Sequence, residues 1–222
     1  MHEAQMMFCE EVKRKYPNYF NGVKVLDIGS MDINGNNRHL FENSEYVGCD
    51  LDEGPNVDSV CCSHEYPAKP ESLDVVISTE TFEHDRYLEK TIKHAVSIIR
   101  PGGLFLFTCA TGSREQHGTT NHKPNDSPYT NDHYQNVSED MVVDVLDMEI
   151  FDEYEFRKRN GEDLYFYGVK KGERYENIEE WDWIRYLSEN PDIVNAGITT
   201  DEDAYEHWLE HGKLEGRRLA RK

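Results

Sequence analysis

Residues 23–36 read VKVLDIGSMDINGN and residues 46–50 read YVGCD, and these two stretches decide the fold. Each is an apolar run that stops at an acidic residue, Asp27 in the first and Asp50 in the second. Short apolar runs of this kind, about one helix apart, are typical of neighbouring parallel strands in an α/β sheet. Because the carboxyl ends of parallel strands meet at one edge, both acids are predicted to face a common crevice.

The residues around this crevice indicate an adenosine-type cofactor without a pyrophosphate. Asp50 can accept hydrogen bonds from two ribose hydroxyls at once, and Gly29 and Gly35 let the backbone approach a ligand closely. A dinucleotide-binding loop would carry three glycines in the spacing G-x-G-x-x-G, which this loop lacks. The alternative interpretation is that Asp27 and Gly29 only end a buried strand.

The rest of the chain alternates strands and helices, which predicts a doubly wound α/β fold with right-handed crossovers. We expect strands over 23–28, 45–50, 57–61, 73–78, 104–109, 149–157 and 163–170. We expect helices over 3–15, 37–43, 86–99 and 138–147, with Pro101-Gly102-Gly103 as the stop signal of the third. Ser138 is the predicted N-cap of the fourth helix, and Asn160-Gly161 predicts a tight turn between the last two strands.

These stretches resemble class I S-adenosylmethionine-dependent methyltransferases. The likeness spans about 24–170 and is most specific over 25–58 and 73–109. It is closest to a branch that carries Asp-Ile-Gly-Ser followed by Asp-Ile-Asn-Gly, as residues 27–30 and 32–35 do here. The resemblance implies a mostly parallel seven-stranded sheet that ends in an antiparallel hairpin, with S-adenosylmethionine as the cofactor.

The resemblance also implies which residues contact that cofactor. Asp27, Gly29 and Ser30 would surround its methionine end, whereas Asp50 and Leu51 would hold the ribose and adenine. The complete set of implied cofactor-binding residues is Asp27, Gly29, Ser30, Asp32, Gly35, Asp50, Leu51, Cys62, Ser63 and Thr79.

Composition limits the class of partner. The chain has 222 residues and a formal net charge of -20, with a pI near 4.8. A field of this sign repels phosphate backbones, so DNA and RNA are poor substrates unless a basic patch exists, and the dense basic cluster at 157–159 is a predicted hairpin tip. Small neutral acceptors are favoured.

Cysteine use and hydropathy indicate the compartment. The five cysteines include no C-x-x-C pair, and an odd count argues against a complete disulfide framework. We interpret them as reduced thiols of a cytoplasmic protein. No apolar stretch reaches the length of a membrane span, and the N-terminus lacks the apolar region of a signal peptide.

Two polar regions follow strands and are candidates for catalysis. The stretch 78–85 reads STETFEHD and leaves the predicted fourth strand, and the resemblance includes its Phe-Glu-His. Glu83 and His84 therefore face the crevice, with capping and orienting the next helix as the alternative, structural role. In the long polar segment 110–135, His117 is the predicted general base for a hydroxyl acceptor, and Glu83 and His84 are its predicted catalytic neighbours.

The same polar segment contains further acidic and histidine side chains, and exposed loop residues without a role are the alternative interpretation for each. Carboxylate and imidazole groups also bind divalent metals. Fixed ligand spacing is missing, so the sequence assigns no metal ligands and leaves a divalent metal as an unsupported option.

The chain changes character near Gly172, and we predict a methyltransferase domain over 1–171 and a short helical module over 172–222. Trp181, Trp183 and Trp208 belong to two short amphipathic segments, one ended before Pro191 and the other by Gly212. The run 186–217 resembles a helical module attached to bacterial and viral surface or glycosyltransferase proteins. Packing or association with a protein partner is its expected role, and the resemblance favours glycans as substrates.

Together these inferences predict an S-adenosylmethionine-dependent O-methyltransferase that acts on a sugar hydroxyl of a glycan or glycoconjugate. The Asp-Ile-Asn-Gly branch resembles enzymes of surface-polysaccharide pathways, and the whole chain resembles the terminal methyltransferase domains of large algal-virus glycan-assembly proteins, which implies the host cytoplasm if the protein is viral. The alternatives are a methyltransferase for a non-sugar small molecule or a protein, and a non-catalytic module whose cofactor pocket serves assembly.

Overall fold

The computed structural model describes residues 3–172, 182–212 and 217, and Trp181 lies outside the described residues. The chain divides into two compact units, Met1–Glu173 and Arg174–Lys222. In the described part of the chain, no helix is long and apolar enough to cross a membrane.

The first unit is built on one seven-stranded sheet. Its strands are β1 (Lys24–Ile28), β2 (Glu45–Asp50), β3 (Ser59–Val60), β4 (Leu73–Thr79), β5 (Ile99–Ala110), β6 (Phe151–Arg159) and β7 (Asp163–Lys170). The spatial order is β3-β2-β1-β4-β5-β7-β6, and β7 is antiparallel to both of its neighbours while the other pairs are parallel. This architecture confirms the predicted doubly wound, mostly parallel sheet with a terminal antiparallel hairpin.

Helices cover both faces of the sheet, which is why β4 and β5 are continuous apolar runs. The helices of this unit are α1 (Glu3–Lys15), α2 (Leu88–Ile98) and α3 (Glu139–Val143). Residues of α2 and α3 pack into one buried cluster with Leu26 and Ile28, and residues of α1 pack into another with Val25. Ser138 is the N-cap of α3, as predicted, because its side chain accepts from the amide of Met141.

Among the predicted elements that differ from the structure, two are decided by tertiary contacts. The segment Pro101-Gly102-Gly103 was expected to end a helix before β5, yet β5 already begins at Ile99, and the strand pairing shifts register there. Gly103 permits this path, since a Cβ atom would lie 2.7 Å from the carbonyl oxygen of Asp74. The expected helix 37–43 is only a 3-10 turn, Arg38–Leu40, because Asn37 turns its side chain towards Asp27.

The second unit contains short helices around a small core. Its elements are α4 (Trp183–Glu189), α5 (Pro191–Asn195), α6 (Asp201–His207) and a π-helical turn, Trp208–Gly212. Its buried core consists of Tyr186, Ile193, Ala204 and Trp208, and Trp183 packs against it. Gly212 is the last described residue of this turn, and a Cβ atom there would lie 2.3 Å from the Tyr186 hydroxyl.

We predict that a chain ending at Gly172 folds and binds S-adenosylhomocysteine as well as the full chain does. All seven strands and both buried clusters of the first unit are complete before that residue. Circular dichroism and titration calorimetry on both lengths would measure this. Aggregation of the shortened chain would show that the first unit depends on the second for its stability.

Candidate functional site

A crevice of about 540 Å³ lies at the carboxyl ends of the parallel strands. Of the predicted cofactor-binding residues, those that line it are Asp27, Gly29, Ser30, Gly35, Asp50, Leu51, Cys62, Ser63 and Thr79. His84 and His117 line it as well, whereas Asp32 and Glu83 do not. The polar segment expected to be a binding loop contributes several further lining residues, among them Lys123, Asp126 and Tyr129.

Asp50 is held rigidly at the end of β2. Its Oδ2 accepts from the amide of Met31 at 2.9 Å, and its Oδ1 accepts from the amide of Leu51 at 2.7 Å. Burial raises the pKa of this carboxyl, and the two amide donors act in the opposite direction. Each carboxylate oxygen has a second lone pair, so both can still accept from a ribose hydroxyl in the crevice.

Asp27 is almost fully buried at the end of β1 and organises its neighbours. It accepts from the Tyr46 hydroxyl and from Asn37 Nδ2, at 3.2 Å for the closer Asn37 contact. The same amide nitrogen lies 3.0 Å from Thr79 Oγ1, so Asp27 and Asn37 link β1 to β4. Burial raises the pKa of Asp27 to about 7, although the donors Tyr46 and Asn37 lower it.

This raised pKa gives a prediction about stability and pH. A carboxyl whose pKa is higher in the native state than the ordinary 3.8 binds protons more tightly when folded, so stability falls as pH rises from about 4 to about 7. We expect the free energy of unfolding of wild type, relative to Asp27→Asn, to fall between about pH 4 and about pH 7 in urea titrations. Asp32→Asn is the control, because a hydrogen bond from Asn36 lowers the pKa of Asp32 and keeps it charged throughout.

Hydrogen bonds within the loop after β1 stabilise its conformation. Asp32 Oδ1 accepts from the amide of Gly35 at 2.7 Å, and Oδ2 accepts from Asn36 Nδ2 at 2.7 Å. Asp32 therefore shapes the loop beside the crevice, while its contact with the cofactor stays a prediction. Ser30 is buried, and its hydroxyl donates to the carbonyl of Asn56 at 3.1 Å, which ties this loop to the one after β2.

Position 29 requires a glycine because of its backbone conformation and because of the neighbouring Thr81 side chain. Its φ is +70°, and a Cβ atom would lie 2.0 Å from Thr81 Oγ1. We predict that Gly29→Ala lowers stability by more than the cost of about 1–2 kcal/mol for a left-handed alanine, and weakens S-adenosylhomocysteine binding. Gly22→Ala is the matched control, because Gly22 has φ +67° with nothing within 4 Å of a Cβ. Equal melting temperatures for the two variants would contradict the steric argument.

Three side chains form a cluster beside the crevice, Glu83, His84 and His117, and the two histidines line it. His117 Nε2 lies 3.7 Å from Glu83 Oε1, and the two imidazole ring centres are 5.4 Å apart. Glu83 is fully buried in the 3-10 turn Phe82–His84. Glu83 and His84 do not cap the next helix, because α2 has Tyr87 at its N-cap and no side-chain cap bond.

Electrostatics favour uncharged forms throughout this cluster. Burial, followed by the charge of Glu80, raises the pKa of Glu83 well above its ordinary value. Burial and the neighbouring His117 lower the pKa of His84 to about 4, and burial lowers the pKa of His117. At neutral pH both imidazoles are therefore neutral, with a lone pair available on each ring.

Sequence reasoning missed several residues of the crevice. Asn37 carries the hydrogen bonds described above, and only its place after the glycine loop could have indicated it. Tyr87 and Tyr129 line the crevice although 46% and 49% of their surfaces are exposed. Their signal was their position, since each is an aromatic residue in a polar stretch at the carboxyl side of the sheet.

Known proteins with a related domain or fold agree with this geometry. Residues 26–107 match the family model described as a methyltransferase domain. No curated protein matches the chain. Among solved structures, a Haemonchus contortus phosphoethanolamine N-methyltransferase 2 with bound S-adenosylhomocysteine superposes with a TM-score of 0.54 at 16% identity, covering 74% of this chain and 53% of its own.

One bacterial and one archaeal structure are also similar to this chain. A Burkholderia thailandensis 1,6-didemethyltoxoflavin-N1-methyltransferase, also with S-adenosylhomocysteine, has a TM-score of 0.53 at 16% identity over 76% of this chain and 79% of its own. A methyltransferase of Archaeoglobus fulgidus has a TM-score of 0.51 at 16% identity over 75% and 94%. The chain spans about half the length of the nematode enzyme.

These matches establish a domain and a fold. Residues 26–107 match a methyltransferase domain model, and the chain has the fold of class I S-adenosylmethionine-dependent methyltransferases. The nematode and Burkholderia structures hold S-adenosylhomocysteine, the product that S-adenosylmethionine leaves after methyl transfer. The crevice fits it, because a rigid two-oxygen acceptor, Asp50, and a close-approach glycine, Gly29, stand on adjacent strand ends.

Proposed function

We propose that this chain, which carries a methyltransferase domain over residues 26–107, is an S-adenosylmethionine-dependent O-methyltransferase that methylates a hydroxyl group of a sugar. One observation carries the proposal: a single crevice is lined both by a ribose-type acceptor, Asp50, and by the neutral imidazoles of His84 and His117, with Glu83 Oε1 3.7 Å from His117 Nε2. The identity of the acceptor as a sugar rests on the arguments below.

The cofactor is proposed to lie along the carboxyl ends of β1, β2 and β4. Asp50 would accept from the two ribose hydroxyls, and Leu51, Cys62 and Ser63 would border the adenine. The methionine end would lie by Gly29, Ser30 and Thr79. When bound, the cofactor supplies a methyl group on a positively charged sulfur, and a net charge of -20 attracts that cation.

The lining of the crevice supports a neutral polyhydroxylated acceptor. Tyr87 and Tyr129 present exposed aromatic rings, and a ring of this kind offers an apolar face together with a polar hydroxyl. A sugar has the complementary surface, with C–H groups on its faces and hydroxyls at its edges. An anionic acceptor would be opposed by the overall negative charge.

The reaction needs a hydroxyl oxygen aligned with the methyl group and a route for its proton. As the O–C bond forms, the C–S bond breaks, its electron pair stays on the sulfur, and the O–H proton leaves. Glu83, His84 and His117 would activate this hydroxyl, a role supported by the two histidines lining the crevice and by the 3.7 Å distance from His117 Nε2 to Glu83 Oε1. Most of the rate would come from positioning the reactants.

A screen of acceptors tests the proposal. The full chain is incubated with S-adenosylmethionine and a panel of monosaccharides, glycosides, catechols, amines and a protein mixture, and products are measured by mass spectrometry. A mass gain of one methyl group on a sugar, lost on treatment that cleaves O-methyl ethers, is the expected result. Transfer confined to amines, non-sugar small molecules or protein would overturn the sugar assignment, and cofactor binding without any transfer would favour a non-catalytic module.

The second unit is proposed to associate with a protein or glycan partner. Its described helices enclose a small core, and Ile184 at 65% exposure leaves an apolar side chain on the surface of α4. Activity of the chain ending at Gly172, compared with the full chain on the same sugar, would measure any contribution to acceptor presentation.

A further inference from the structure

The cluster of Glu83, His84 and His117 has the composition and closeness of a metal-binding site. Each residue offers one ligand atom, an oxygen or an imidazole nitrogen, and these three atoms lie within 4.8 Å of one another. Glu83 is 0% exposed and His84 is 7% exposed, so bulk water is excluded from the back of the cluster.

Three buried polar atoms of this cluster have no hydrogen-bond partner of ordinary geometry among the described residues. Within the described residues, neither carboxyl oxygen of Glu83 nor Nδ1 of His84 makes a hydrogen bond of ordinary geometry. Leaving such groups unpaired in a buried place is costly, and an absent ion is one of the accepted explanations. A cation at the centre would satisfy the carboxylate and both imidazoles together.

Distances agree with a small adjustment around such an ion. Zinc binds imidazole nitrogen and carboxylate oxygen at about 2.0–2.2 Å, which places tetrahedral ligand atoms about 3.4 Å apart. The distance from His117 Nε2 to Glu83 Oε1 is already 3.7 Å. His117 lies in the polar segment that follows β5, so small rotations of its side chain can close the remaining gap.

We propose that Glu83, His84 and His117 bind one divalent transition-metal ion, with zinc the best match to two imidazoles and one carboxylate. Three protein ligands leave one position open, as in catalytic zinc sites. That position faces the crevice, because both histidines line it. Purely oxygen-binding ions such as calcium fit this donor set less well.

The ion would give the proposed methyl transfer its means of activating the acceptor, and this part of the inference rests on the proposed function. A hydroxyl at the open position would become more acidic, since a bound cation stabilises the developing negative charge. The O–H proton would then pass to water as the O–C bond forms and the C–S bond breaks. His117 would serve as a ligand, in place of the general-base role that the sequence predicted.

Metal binding by the full chain tests the site without any acceptor. Protein stripped with a chelator is titrated with zinc in a calorimeter, and cobalt(II) is added in parallel, because its visible absorption reports tetrahedral coordination. One site per chain is expected in wild type. Glu83→Gln and His117→Ala should lower zinc affinity by at least about 100-fold. His39→Ala, which removes an exposed histidine away from the crevice, should bind as wild type does.

The outcomes separate this proposal from the proposed function. S-adenosylhomocysteine binding and circular dichroism establish that each variant is folded. Absence of zinc and cobalt binding in folded wild type, or equal affinity in all variants, overturns the site. A zinc-binding wild type that methylates no sugar leaves the site intact and overturns the sugar assignment. Transfer at the same rate in stripped and zinc-loaded protein overturns the catalytic use of the ion.

Discussion

His117→Ala is expected to slow methyl transfer by about 10²–10⁴-fold, while the dissociation constant for S-adenosylhomocysteine stays nearly the same. The imidazole lines the crevice, with Nε2 3.7 Å from Glu83 Oε1, and makes no described contact with the predicted cofactor residues. Loss of a group that activates the acceptor hydroxyl therefore changes turnover without changing cofactor binding. The measurement pairs initial rates on a sugar acceptor with calorimetric titration of S-adenosylhomocysteine.

Two further variants make this result specific. Glu83→Gln keeps the shape of the buried side chain but removes its ability to become a carboxylate, so it should also slow transfer. His39→Ala removes a histidine that does not line the crevice and should react at the wild-type rate. Full activity in His117→Ala would move the activating role to His84, or show that the hydroxyl reacts without assistance.

The local sequence was sufficient to predict those strands of the sheet whose position depends on burial alone. β1, β2 and β4 begin and end within one or two residues of the predicted strands, because each is a short apolar run closed by a polar residue. Sequence was insufficient where a partner elsewhere in the chain decides the path. The bulge at Pro101-Gly102-Gly103 depends on the close approach of Asp74. Asp74 is 29 residues away from Gly103 in the sequence, but the two residues are neighbours in the sheet.

The same distinction applies to the site. Asp50 could be placed in advance, because a residue that ends a parallel strand must lie at the edge where ligands bind. The burial of Glu83 could not be predicted from the sequence. Carboxylates are rarely buried without a partner, and nothing in the local sequence STETFEHD requires Glu83 to be buried. Its position follows from the 3-10 turn and from the carbonyl of Glu83, which accepts from the amide of Gln135 at 2.8 Å.

Asp50→Ala should weaken S-adenosylhomocysteine binding by about 2–4 kcal/mol, or roughly 30- to 1,000-fold in the dissociation constant. Two oxygens held by the amides of Met31 and Leu51 present a fixed acceptor pair to the ribose, and alanine removes both. Some of this loss would come from the loop, because those two amides lose their partner as well. Asp50→Asn retains one acceptor oxygen, so its dissociation constant for S-adenosylhomocysteine should lie between those of wild type and Asp50→Ala.

This test has to distinguish the loss of the ribose contact from the loss of one negative charge. Removing any carboxylate weakens the attraction between a protein of net charge -20 and a cationic cofactor. Asp52→Ala is the matched control, since Asp52 is exposed, two residues away, and does not line the crevice. S-adenosylhomocysteine lacks the sulfonium charge, so its affinity reports the ribose contact rather than the field. Equal affinity in Asp50→Ala and Asp52→Ala would remove Asp50 from the cofactor site, and the ribose would then have to bind elsewhere along the crevice.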